Sequence, residues 1–171
     1  MRREGKEAMT GDKVVRAAMA YEKDVQAIKL QLALADDVAL RITQQIGGQG
    51  ARGSGHSDKP LAVISRRDEL TRAKSARDFC YKLELAESAR LIGSIPWIAC
   101  AEVMRRTCFS GDSLRQVAAS MKQSEDGVRS LRRRGWRALA TMESVLGMDA
   151  VYLENREIYE EGMRVRRRDR L

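Results

Sequence analysis

Residues 109–139 read FSGDSLRQVAASMKQSEDGVRSLRRRGWRAL, and the spacing of their apolar positions decides the fold class. Leu114, Val117, Ala118 and Met121 recur at three and four residues, the period of one helix face. Val128, Leu131, Gly135 and Leu139 repeat that period after the break Lys122-Gln123-Ser124. A third helical signal, Trp97 to Cys108, precedes both and is divided from them by Phe109-Ser110-Gly111-Asp112. Three short helices separated by tight turns have the spacing of a helix-turn-helix. Ser124 is suited to cap the last helix, with Glu125 and Asp126 in a first turn where the helix dipole favours carboxylates. Ala118 and Gly135 leave room for close helix approach.

Outside that inward face, Asp126, Arg129, Ser130, Arg133 and Arg137 recur at three or four residues and line one side of the last helix. A basic helix side is what entry into a DNA groove requires. Arginine reads the two major-groove acceptors of guanine, and serine serves either a base or a phosphate. Asp126, Arg129, Ser130 and Arg133 are the candidates for base contacts. Arg115, Lys122, Arg132, Arg134 and Arg137 are the candidates for phosphate contacts, which set affinity and salt dependence. Residues 97–140 carry nine Lys and Arg against four Asp and Glu, so much of the chain's net charge of +8 lies in this segment.

The same stretch, Phe109 to Leu139, resembles sigma-factor region 4 in the variant found in phage and prophage late transcription regulators of the ArpU and RinA type. The wider layout over about residues 14–140 is similar too: a long first helix, a Gly/Ser-rich break, a second helix, then this module. The resemblance implies sequence-specific binding of double-stranded promoter DNA by the helix that begins at Ser124, with RNA polymerase as a further partner. Where that family often carries an aromatic and a basic residue, this chain has Ser113 and Leu114, or Trp136. No segment resembles sigma region 2, so promoter melting is not expected.

Working outward, the N-terminal side carries a heptad stripe: Val14, Ala18, Tyr21, Val25, Ile28, Leu32, Ala35, Ala39, Ile42 and Ile46 fall at alternating steps of four and three. A helix over residues 13–46 would be about 50 Å long. Its stripe fits an intramolecular hairpin or a homodimer seam equally well. Glycines 47, 48, 50, 53 and 55 then make residues 47–60 a connector. A phosphate-cradling loop would need a preceding strand and a Lys-Ser/Thr opening the next helix, and neither is present. His56, the single histidine, lies there with no partner at ligand spacing and is expected in solvent. A second helix runs from Pro60 to about Ile92, with Leu70, Ala73, Ala76, Cys80, Leu83 and Ala86 on one side to meet the first. Ser94 is the expected N-cap of the next helix, and Pro96 suits its first turn.

The expected fold is all-α. Residues 1–12 form a flexible charged tail, and residues 13–92 a long, coiled-coil-like helical hairpin. Residues 93–147 form the helix-turn-helix module, and residues 148–171 a short helix with a basic end. That end, Arg164 to Arg170, is either a DNA backbone contact or a solvated tail. Cys80, Cys100 and Cys108 form no C-x-x-C pair and are expected as reduced thiols. There is no apolar h-region and no run of 18 apolar residues, which points to a cytoplasmic protein with no membrane partner, and the phage resemblance implies a bacterial host cell. No nucleophile and base pair, paired acids or metal cluster stands out, so no catalytic residue, metal or cofactor is expected. The other reading the pattern admits is a DNA-packaging protein like a phage small terminase subunit, which also joins a helix-turn-helix to coiled-coil helices.

Overall fold

The structure, a computed structural model, describes residues 9–48 and 59–164. The chain is all-α. Its helices are α1 (Gly11–Gly48), α2 (Lys59–Gly93), α3 (Ile98–Cys108), α4 (Leu114–Met121), α5 (Glu125–Thr141) and α6 (Ala150–Arg164), with a single 3₁₀ turn at Val145–Gly147. Among the described residues there is no strand, and the one β-bridge pairs Thr10 with Glu143. The three short helices keep the bounds their periodicity predicts. His56 and most of the connector lie outside the described residues, as do the C-terminal arginines beyond Arg164.

The chain divides into two compact units, one of residues 1–21 with 80–153 and one of residues 22–79 with 154–171. The boundary expected near residue 93 therefore falls inside a unit. The reason is packing: Val14, Val15, Leu91 and Ile92, from the ends of the two long helices, share one buried cluster with Cys100, Met104, Leu139 and Tyr152. A second cluster, Val103, Val117, Ala118 and Val128, joins α3, α4 and α5. Residues 9–12 are likewise not a tail. The Gly11 N–H donates to Met142 O at 2.8 Å, the Ser144 N–H donates to Met9 O at 2.9 Å, and Met9 is buried. A Cβ on Gly11 would stand 2.9 Å from the Leu139 carbonyl oxygen, so only glycine allows this approach.

Two further expectations are corrected in this unit. Ser94 does not cap α3: its Oγ donates to Arg90 O at 2.8 Å and closes α2, while Trp97 stands at the α3 N-cap without a side-chain hydrogen bond. Pro96 precedes that cap and is exposed. The inward side of α2 also changes after Cys80. Leu83 is half-buried and Ala86 exposed, whereas Glu84, Glu87 and Ser88 are buried. Burying carboxylates requires donors. Tyr152 OH donates to Glu84 Oε1 at 2.9 Å, and Ser144 Oγ and the Val145 N–H donate to Glu87 Oε1 at 3.0 and 3.1 Å. With Arg90 on its other oxygen at 2.7 Å, Glu87 is held below the usual carboxylate range despite the opposing effect of burial.

In the other unit, Val25, Ile28, Leu70, Ala73 and Ala76 are buried, and Leu32, Ala35, Ala39 and Ile42 are half-buried. The heptad stripe is thus buried or half-buried within the chain as far as Ile42. Gly162 lies so close to α2 that an added Cβ would stand 2.6 Å from the Ala73 Cβ. Arg77, buried, pairs with Asp24 at 2.9 Å and lies 5.6 Å over the Tyr159 ring. Burial, with Asp24 nearby, pushes the Tyr159 hydroxyl up to about 12.

Candidate nucleic-acid interface

Local hydrogen bonds set the geometry of α4 and α5. Ser113 Oγ accepts from the Gln116 N–H at 3.3 Å and the Ser113 N–H donates to Gln116 Oε1 at 2.8 Å, a reciprocal cap. At the start of α5, Ser124 Oγ accepts from the Gly127 N–H at 3.1 Å, as its sequence position predicts. Between the helices Lys122 takes a left-handed conformation, φ 52° and ψ 43°, which turns the chain within three residues. The Gln123 N–H returns to Ala118 O at 3.0 Å and fixes that turn. On the other side of α4, Arg106 from α3 pairs with Asp112 at 2.6 Å and donates to Ser120.

The inward side of α5 is closed. Val128, Gly135 and Leu139 are buried and Leu131 is half-buried. At Gly135 an added Cβ would stand 2.4 Å from Met104 Cγ and 2.8 Å from its sulfur, so α3 and α5 approach as closely as the glycine permits. Both ends and one side of α5 are thereby fixed, and only its outer side is free to meet a partner.

The base-contact candidates Asp126, Arg129, Ser130 and Arg133 all lie exposed on that outer side, together with Arg137. Asp126 and Arg129 are not independent: Arg129 Nη1 donates to the Asp126 carboxylate one turn earlier. Of the phosphate candidates, Arg115, Lys122, Arg134 and Arg137 are exposed. Arg132 differs from them. It is half-buried on the flank of α5, its Nε is buried with no hydrogen-bond partner, and it lies near Cys108. Trp136 occupies the same flank, and Arg16 from α1 stands 4.5 Å over its ring. Sequence spacing did not single out Arg16, because only the fold of the first unit brings residue 16 beside residue 136.

Burial pushes both Cys100 and Cys108 up, outweighing the nearby guanidinium groups. Among the described residues no group of three His, Cys, Asp or Glu side chains is placed to hold a metal ion, and no helix is long and apolar enough to cross a membrane. Comparison with known protein families, curated proteins and solved structures finds no match to this chain.

Proposed function

We propose that this chain is a sequence-specific regulator of transcription that binds double-stranded DNA, with α5 entering the major groove. One observation carries the reading: a helix whose inner side is fixed by Val128, Gly135 and Leu139 presents Arg129, Ser130, Arg133 and Arg137 together on its outer side. The tight, doubly capped connection from α4 to α5 supports it, since a recognition helix must be held rigidly against its neighbour. Arg129, Ser130 and Arg133 read base edges, while Arg115, Lys122, Arg134 and Arg137 meet phosphates. The role is non-enzymatic, and the likeness of residues 109–139 to sigma region 4 makes a phage or prophage promoter the natural target and RNA polymerase a natural partner.

A dimer doubles the number of base pairs read. With the heptad stripe covered inside the chain, a pairing surface is better sought in the exposed row Leu30, Leu34 and Val38 on α1.

Selection from random duplex DNA at near-physiological salt tests the reading. An enriched motif is expected, and an inverted repeat with half-sites about 10 base pairs apart would show pairing. Retention without any motif would contradict sequence-specific regulation and leave charge-driven binding, as in DNA packaging.

A further inference from the structure

We propose that Arg16 on α1 and Arg132 on α5 together form a binding site for a DNA backbone phosphate, beside the base-reading side of α5. The inference rests on the DNA-binding reading above and adds a contact from a helix outside the three-helix module.

Three observations support the pair. Arg16 lies 4.5 Å over the Trp136 ring, and Trp136 follows Arg132 and Arg133 by one helical turn and Arg129 by two, so Arg16 adjoins the row of exposed arginines. Arg132 lies one helical turn before Trp136 on the same flank of α5, so the ring that Arg16 covers adjoins Arg132, and both charges act on the half-buried Cys108 thiol. Arg132 Nε is buried without a hydrogen-bond partner, and neither an ion pair to Arg132 nor a second acid beside Arg16 occurs among the described residues. The acid that faces Arg16 is Asp12, at 3.9 Å, the outer limit of an ion pair, while the Arg16 side chain remains 65% exposed.

Two cations on one flank of α5, with Asp12 at 3.9 Å from Arg16 as the acid beside them, leave a net positive charge there that an anion neutralises. Stacking on the indole fixes the plane of the Arg16 guanidinium, so its N–H groups are oriented before the ligand arrives. A planar donor fork matches the oxygens of a phosphate. The nearest polyanion, on this reading, is the strand whose bases Arg129 and Arg133 contact.

The test is the salt dependence of binding to one duplex by wild type, Arg16→Gln, Arg16→Lys and, as a charge control, Lys82→Gln on exposed α2. One phosphate contact contributes about 0.9 to the slope of log K against log salt. Arg16→Gln is expected to flatten the slope by about that amount and to leave the selected motif unchanged, Arg16→Lys to restore most of it, and Lys82→Gln to match wild type. An unchanged slope in Arg16→Gln, with selective binding retained, would overturn this site alone. Equal flattening by Arg16→Gln and Lys82→Gln would reduce the effect to net charge and also overturn it. If wild type fails to bind duplex DNA at all, the DNA-binding reading falls, and this site with it.

Discussion

Four arginines of one compact unit and three on α5 in the other differ in what they face. In the unit built from residues 22–79 and 154–171, Arg41, Arg66, Arg67 and Arg77 meet Asp37, Glu69, Asp36 and Asp24 at 2.9, 3.1, 3.3 and 2.9 Å. On the outer side of α5, in the other unit, Arg133 and Arg137 make no ion pair among the described residues, nor does neighbouring Arg134. A paired arginine has its charge partly offset locally, as Arg129 does beside Asp126, whereas an unpaired exposed arginine keeps its field available to a polyanion. The count of cations alone does not locate an interface. Their pairing does.

Two carboxylates break or sharpen this contrast with the largest expected effect. Asp24 partners a buried guanidinium, whose side chain is 4% exposed, so Asp24→Ala removes a carboxylate from an interior charge and should cost about 3 kcal/mol in chemical denaturation at neutral pH. Asp126 partners Arg129 at the surface with its own side chain 88% exposed, and Asp126→Ala should leave the denaturation midpoint within experimental scatter. Equal losses in the two variants would erase the distinction between structural and available arginines.

A smaller effect is expected at Gly135. Valine there must displace buried Met104, and overpacking of this kind costs about 1–3 kcal/mol, read as a lower melting temperature. If α5 is held as described, the same variant should also lose DNA affinity, although its outer side is untouched.

The acid limb of stability follows from Glu87. Its carboxyl titrates lower in the folded chain than in the unfolded one, so its contribution is complete above the ordinary carboxylate range and disappears as pH falls through the lowered folded value. Glu87→Gln should be less stable than wild type at pH 7 and show a flatter loss below about pH 4.5. Tyr159 gives the opposite limb in the other unit. Held up to about 12, it keeps its proton while the unfolded chain loses one from about pH 10, so stability should fall between those values and Tyr159→Phe should remove that fall.

The smallest effect belongs to the turn. Lys122 occupies a left-handed conformation that glycine adopts without strain, and Lys122→Gly should gain about 0.5–1 kcal/mol. If its ammonium also meets a phosphate, the more stable variant binds DNA with a salt slope shallower by about 0.9. Stability and binding then move in opposite directions.

What was legible in the sequence follows the range of the interactions involved. The three short helices, the Ser124 cap and the exposed side of α5 depend on residues within one or two turns of each other, and apolar spacing reveals them. The Ser113-x-x-Gln116 cap is equally local, and its spacing is a signal that could have found it but was not used. Asp126 and Arg129, three residues apart, are another local pair that spacing places on one side. The docking of Met9 to Gly11 against Met142 and Ser144 was not legible, because its partners lie more than 130 residues away and leave no local period. Glu84 and Glu87 read as solvent positions on α2 until Tyr152 and Ser144 supply their donors. The same holds for Arg16, whose partner Trp136 is 120 residues distant.

The most direct test follows the arginine Nε–H signals in NMR spectra of isotope-labelled full-length protein titrated with duplex DNA. Signals from Arg129, Arg133 and Arg137 are expected to shift first and furthest, while those of Arg66, Arg67 and Arg77 stay in place. Shifts concentrated on Arg66, Arg67 and Arg77, or an undisturbed α5 in the presence of bound DNA, would contradict the assignment of the outer side of α5 as the DNA-binding surface.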